Sequence, residues 1–398
     1  MDGGTDFRIL NLNCWGIPYL NLSKLRKERM LDIAEELAKG ACDVVCLQEI
    51  WSVSDFERLR TACMGKYPYS HYFHSGVIGS GLCVFSKSPI VGAFYHHYSV
   101  NGYPHRIFHG DWFGGKMVGL CQILHHGLTI NVYVTHFHAE YNHTDKPYHG
   151  HRLVQAFEMC QFIEHTGQTS HVNVIAGDFN TEPEEIGYKL ITKLLEMKDS
   201  WTTQTCIQDA CDGSTSDVPS NSFTKPSASI RFPKGKRIDY VMYQVNDECD
   251  IECLESSVTM GRVPGKDYNF SDHEAVDAKL KIHKKEKKPL PEFDEKSSSE
   301  CIQVLEDVIG DIKTGHDNLK TVQLWTRIGL IISLSLCLLW FIPHFDKIKL
   351  VALVLATLGV SYMFVMATVG IRMERKAYTE CINNMTLKLN SLKRERKS

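Results

Sequence analysis

Short apolar runs rich in β-branched residues recur along the chain as far as residue 282: Phe7 to Leu12, Val44 to Leu47, Leu82 to Phe85, Ile90 to Phe94, Met117 to Ile123, Leu128 to Thr135, Val172 to Ala176, Ile238 to Val241 and Ala275 to Ile282. Each reads as a strand. Several neighbours are joined by short polar turns such as His125-His126-Gly127, a hairpin signal that disfavours a purely parallel sheet. Helical spacing is rarer, at Leu25 to Ala38, with Met30, Ile33, Ala34 and Leu37 on one face, and at Leu153 to Ile163. The pattern predicts an α+β domain of two mixed sheets packed face to face with helices outside. Residues 202–229, rich in Ser, Thr, Asp and Pro, read as a surface insertion.

From Lys281 the composition changes. A charged stretch from His283 through Lys288 runs into Pro289-Leu290-Pro291 and a polar segment to Ser299, which reads as a linker. Leu350 to Ile371 then carries no charge and is long enough to span a bilayer, whereas Ile328 to Ile342 reaches that length only with Thr321 to Arg327 added. The turn Pro343 to Lys347 makes the two a helical hairpin. Lys313, Lys320, Arg327, Arg372, Arg375 and Lys376 flank the hairpin against Lys347 and Lys349 in its turn, so both flanks are expected on the cytoplasmic side. The acidic, glycine-rich start Met1 to Asp6 lacks the pattern of a signal peptide, and the 14 scattered cysteines contain no Cys-x-x-Cys pair, which fits a reducing compartment. The expected divisions are a globular domain over 1–283, the linker over 284–300, an amphipathic juxtamembrane helix over 301–320, spans over 321–342 and 348–371, and a basic tail over 372–398. Ile302, Leu305, Ile309, Ile312 and Leu319 form an apolar seam before the hairpin, and Tyr378, Ile382, Met385, Leu389 and Leu392 form another after it. They are expected either to meet in an antiparallel stalk or to lie separately on the bilayer.

Polar residues cluster where the strand runs end, which is where a sheet scaffold builds a cleft. Asn11 to Gly16 follows the first run, Gln48-Glu49 the second, Thr135-His136 another, and Gly177-Asp178-Phe179-Asn180 the run at Val172. Arg237-Ile238-Asp239-Tyr240 and Ser271-Asp272-His273-Glu274 border the last two runs. A carboxylate and a carboxamide two residues apart, as in Asp178 and Asn180, can hold an oxyanion or a metal-bound water without adding a second negative charge. His136, His138, His143, His149 and His151 include no closed set with metal-ligand spacing for zinc and read as solvated loop imidazoles. A net charge of −3 and the lack of a basic stripe outside the linker and tail speak against nucleic acid as a partner.

Taken in order, these motifs resemble the endonuclease/exonuclease/phosphatase superfamily, which has the DNase I-like fold. Within it NLNCWGIPYL (Asn11 to Leu20), GSGLCVFSKSPI (Gly79 to Ile90), NGYP (Asn101 to Pro104), HGDWF (His109 to Phe113), THFHAEYN (Thr135 to Asn142) and SDHEA (Ser271 to Ala275) resemble the neutral sphingomyelinases, and the terminal hairpin fits their smaller mammalian type. The resemblance implies a two-layer DNase I-like β-sandwich flanked by helices, followed by the transmembrane hairpin. It implies hydrolysis of sphingomyelin to ceramide and phosphocholine with Mg²⁺, or Mn²⁺ in its place, at an endoplasmic reticulum or nuclear envelope membrane. Glu49 is then a metal ligand assisted by Asn13, with Asp272 in the same metal and phosphate cluster. Asp178 and Asn180 orient the phosphate and the attacking water, His273 is the general base oriented by Asp239, and His136 donates to the phosphate. Trp15, Tyr19, Trp112 and Phe113 are candidate contacts for the choline head group or for lipid, with Lys116 as a further candidate substrate contact. The competing readings are phospholipase C action on lyso-phosphocholine lipids, a nuclease or phosphoinositide phosphatase on the same scaffold, and a non-catalytic membrane-hairpin protein.

Overall fold

The computed structural model describes residues 4–19, 22–103, 106, 109–205, 212–285, 295–339 and 347–396. The chain runs β1 (Thr5–Asn13), α1 (Arg26–Leu37), β2 (Val44–Gln48), α2 (Val53–Cys63), β3 (Tyr69–Tyr72), β4 (Cys83–Ser86), β5 (Ile90–His97), β6 (Met117–His125), β7 (Leu128–His136) and α3 (His149–Thr166). It continues through β8 (Val172–Asp178), α4 (Ile186–Leu194), β9 (Lys198–Asp199), α5 (Ser200–Thr203), α6 (Pro226–Arg231), β10 (Asp239–Val245), β11 (Cys249–Thr259) and β12 (Ala275–Lys284), and ends with α7 (Glu295–Leu339), α8 (Lys347–Val365) and α9 (Ile371–Glu395). The strands form two mixed six-stranded sheets, ordered β11-β12-β1-β2-β4-β3 and β5-β6-β7-β8-β10-β9. Among the described residues only β1 with β2 and β7 with β8 pair in parallel.

Because side chains alternate across a strand, each sheet has two usable faces. Phe7, Ile9 and Val44 from one sheet interleave with Val132, Val134, Val174 and Val241 from the other to make the central layer. The outer face of the first sheet is sealed by α1 and α2, through Met30, Ile33, Leu37 and Leu59. β11, which the sequence reading does not mark, alternates with Asp250 and Glu252 outward and Ile251 and Cys253 inward.

The outer face of the second sheet is sealed partly by the end of the chain. Ile302, Leu305, Ile309, Ile312 and Leu319 of α7 and Tyr378, Met385 and Leu389 of α9 belong to one core cluster with Val154, Phe157 and Cys160 of α3 and Leu190 and Ile191 of α4. Contacts from Glu306 to Lys393 and from Gln323 to Arg375 fix α7 and α9 as antiparallel. The two seams therefore meet, but as a wall seated on the sandwich; they form neither a free-standing stalk nor surface helices. α7 starts at Glu295, so Glu295 to Glu300 is helix and not linker, while 286–294 lie outside the described residues.

Among the described residues one helical stretch, Val351–Glu395, is long and apolar enough to cross a membrane. Only 6% of its most apolar window is buried, whereas a soluble core helix would hide that surface. The expected first span, 321–342, is helical as far as Leu339, and the connecting residues 340–346 lie outside the described residues.

Sharing one core should make the terminal helices part of the globular domain's cooperative unit. Leu305 is fully buried, so Leu305→Ala should cost about 2–5 kcal/mol. Thermal unfolding followed by tryptophan fluorescence should shift downward, and an unshifted transition would show that α7 contributes nothing to the sandwich.

Candidate active site

Strand ends from both sheets converge at one edge. β1 delivers Asn13 and β2 is followed by Glu49, while β7 ends at His136, β8 at Asp178, and β10 begins at Asp239. Glycines let the ends approach. A Cβ on Gly16 would lie 2.3 Å from the Glu49 carbonyl oxygen, and one on Gly177 would lie 2.3 Å from that of Thr135. Trp15, Glu49 and Asn180 hold positive φ of 46°, 57° and 46°, a strained backbone that a packed surrounding must enforce.

Asn13 stands between the two acids. Its Nδ2 donates to Glu49 Oε1 at 3.1 Å and to Asp178 Oδ2 at 3.0 Å, while its Oδ1 accepts the Trp15 N–H at 3.0 Å. Asn13 thus fixes Glu49 and Asp178 relative to each other. Asp178 Oδ1 accepts the Asn180 N–H at 2.9 Å, and Asn180 Nδ2 donates to the Phe137 carbonyl at 3.1 Å. His136 Nε2 lies 3.4 Å from Asp178 Oδ2, with its Nδ1 buried and without a partner among the described residues. His273 Nδ1 meets Asp239 Oδ2 at 2.8 Å, leaving Nε2 facing Asp178 Oδ2 at 4.0 Å.

Burial pushes Asp178 up to about 6, with the charge of Asp239 adding to it. Asp272 is likewise raised to about 6, by burial first, with the charge of Glu49 also acting to raise it. Glu49, part-exposed at the cleft floor, is also raised by burial. For His273 burial would lower the pKa, but the Asp239 charge and hydrogen bond, then Asp178 and Asp272, carry it well above the imidazole range. His136 goes the other way, held well below by burial and then by Lys116.

Several supporting groups escape the sequence reading. Thr215, inside the stretch read as a surface insertion, is fully buried and donates its hydroxyl to Asp239 Oδ2 at 2.6 Å. Serine and threonine composition marks a loop without revealing that a hydroxyl points inward. Arg29 is fully buried and gathers the carbonyls of Cys14, Trp15 and Phe270, tying the Asn13 turn to the loop of His273. His138 and His151 are fully buried, contrary to a solvated loop, because α3 packs on His138 and α9 packs on His151, which lies in α3 itself. His138 falls to about 3, chiefly by burial. Lys116, expected to meet substrate, is enclosed: its Nζ lies 2.8 Å from Asp111 Oδ1 and donates to the Phe137 carbonyl at 2.6 Å. Of the other candidate substrate contacts, Trp15 is half-buried, edge-on to Phe223 with the Arg29 guanidinium over its ring, and Phe113 is half-buried beside Trp112. Tyr19 and Trp112 are exposed.

The donors Asp178, Asp239 and His273 lie within 4.8 Å of one another, but His273 and Asp239 are engaged with each other. Glu49 and Asp272 keep carboxylate oxygens for a hard divalent cation, and their raised pKa values are those of acids short of positive charge. The donor set fits such an ion.

A carboxylate-rich edge with a carboxylate-held histidine, on two stacked mixed sheets, defines a phosphoester hydrolase site. Residues 10–273 match the Endonuclease/Exonuclease/phosphatase family. The chain is 37% identical over 377 residues to sphingomyelin phosphodiesterase 2 of Mus musculus, covering 94% of this chain and 89% of the relative. It is 44% identical over 273 residues to the Homo sapiens protein of that name, covering 69% and 64%. Beta toxin from Staphylococcus aureus, solved with bound magnesium ions, shares the fold at a TM-score of 0.50 and 20% identity, covering 69% of this chain and 99% of the toxin. The chain therefore belongs to the endonuclease/exonuclease/phosphatase family and, within it, to the sphingomyelin phosphodiesterase 2 group.

Breaking a buried pair strands a charge. Lys116→Met should destabilise the fold by about 3–5 kcal/mol in chemical denaturation, and adding Asp111→Asn should recover part of the loss. A single-variant loss under about 1 kcal/mol would show the pair to be incidental.

Proposed function

We propose that the chain hydrolyses sphingomyelin to ceramide and phosphocholine with a divalent cation, Mg²⁺ or Mn²⁺, at the carboxylate edge. The observation that carries the reaction type is His273, oriented by Asp239 at 2.8 Å with its other nitrogen turned toward Asp178. The substrate class is supported by the relatives.

Glu49 and Asp272 would hold the ion, which when bound supplies charge neutralisation at the phosphate. Asp178 and Asn180 orient the phosphate and the attacking water. His273 takes the water proton at Nε2 as the oxygen bonds to phosphorus, and the bond from phosphorus to the ceramide oxygen breaks, that oxygen taking a proton from solvent water while His273 releases its own to solvent to close the cycle. His136, kept neutral, donates a hydrogen bond to the phosphate without adding a charge that would compete with His273. The near-neutral composition and the family relatives favour a lipid over nucleic acid. The exposed apolar stretch within Val351–Glu395 supports attachment to a membrane, and the flanking cations favour a cytoplasmic catalytic domain and C-terminus, at the endoplasmic reticulum or nuclear envelope.

Purified protein offered sphingomyelin, a lysophosphocholine lipid and an oligonucleotide should release phosphocholine from sphingomyelin only when a divalent cation is present and should leave the oligonucleotide intact. Cleavage of the oligonucleotide at a comparable rate would overturn the substrate class.

The pH profile tests the base. His273 must lose its proton to act, so activity should rise with pH through its pKa. Asp239→Asn removes the charge that raises that pKa, so the acid limb should move to lower pH while the maximal rate falls. A limb that stays in place or moves upward would remove His273 from the role.

A further inference from the structure

We infer that Glu374 and Tyr378 of α9 are positioning residues for the hydrolysis, acting through His151 on the strand end that presents His136. Both reach the same imidazole. Glu374 Oε1 lies 2.7 Å from His151 Nε2, at ion-pair distance though out of line for a hydrogen bond, and the Tyr378 hydroxyl lies 3.2 Å from His151 Nδ1. His151 is fully buried, Tyr378 is 1% exposed and Glu374 8% exposed. Among the described residues neither Glu374 carboxylate oxygen has a hydrogen-bond partner. An apolar residue would stabilise this contact more cheaply than a buried carboxylate, so stability alone does not explain it.

His151 opens α3, and the residues that follow it grip the catalytic edge. Arg152 pairs with Glu140 at 2.9 Å, both buried. One turn on, Gln155 Oε1 accepts the His138 N–H at 2.8 Å, while its Nε2 donates to the Val100 carbonyl at 2.9 Å. Residues 138–140 are thus held by α3, directly after Phe137, whose N–H is bonded to the Asp178 carbonyl and whose own carbonyl receives Asn180 and Lys116. α9 starts at Ile371, directly after the apolar stretch, so the clamp on His151 lies within two turns of that stretch. Displacing α9 would shift His136 and Asn180, and a misplacement of about 1 Å at reacting groups costs as much as 10²-fold in rate.

The inference rests on the catalytic reading of His136 and Asn180. The test is steady-state kinetics of the full chain in detergent, with sphingomyelin in mixed micelles, for Glu374→Gln, Tyr378→Phe and Lys388→Met. Lys388 makes a similar contact from α9 to Glu164, but at the far end of α3. kcat per folded molecule, the folded fraction being set by circular dichroism, should fall about 10- to 100-fold in Glu374→Gln and measurably in Tyr378→Phe. KM should change little, and Lys388→Met should match the unaltered protein. Should Glu374→Gln fail to fold, Tyr378→Phe, which loses one hydroxyl, decides alone. Unchanged kcat in the folded variants would overturn the inference, as would an equal loss in Lys388→Met or a rise in KM alone, the mark of a simple anchor. Failure of the unaltered protein to release phosphocholine would instead sink the functional reading beneath it.

Discussion

Four acids at one sheet edge, Glu49, Asp178, Asp239 and Asp272, set the terms for the rest of the molecule. Burial and mutual charge raise the pKa of three of them, so the edge is short of positive charge as it stands. The chain answers with neutral donors and one imidazole. Asn13 is shared between Glu49 and Asp178, Thr215 braces Asp239, and His273 sits among Asp239, Asp178 and Asp272. No lysine or arginine side chain is hydrogen-bonded directly to these four acids among the described residues; Lys116 and Arg29 stand one step back, on Asp111 and on backbone carbonyls. A site arranged in this way keeps its negative charge for a cation that arrives from outside, and such a cation is what a phosphodiester needs to accept attack by water.

The scaffold delivers these groups because several strands of two sheets end together. The parallel pairs β1 with β2 and β7 with β8 place Asn13 beside Glu49 and His136 beside Asp178. The approach is close enough that Gly16 and Gly177 cannot carry side chains without collision. The terminal helices belong to the same construction. Their apolar seams complete the outer layer over the second sheet, so the helices that flank the exposed apolar stretch are packed onto the part that carries the site.

Much of this was legible in the sequence. Strand-like runs marked nine of the strands, and the polar motifs at their borders gave the acids and the two histidines now found at the edge, because strand ends are where a sheet exposes its chemistry. What could not be read was support that depends on three-dimensional approach. Thr215 lay in a stretch whose composition signals a surface loop, and Arg29 lay on the polar side of a helix with no local cue that it would gather four carbonyls. His138 and His151 looked solvated because nothing local to them announces that α3 will pack on the first and α9 on the second. The seams of α7 and α9 were visible as heptads, but a heptad does not say whether its partner is one helix or a helix and a sandwich.

The central claim is that the acidic edge holds a divalent cation through Glu49. Titration of the full chain with Mn²⁺, followed by electron paramagnetic resonance, reads that binding directly and without turnover. The account predicts saturable binding that weakens at least about tenfold in Glu49→Gln while the fold is retained. Equal affinity in the two proteins would contradict it.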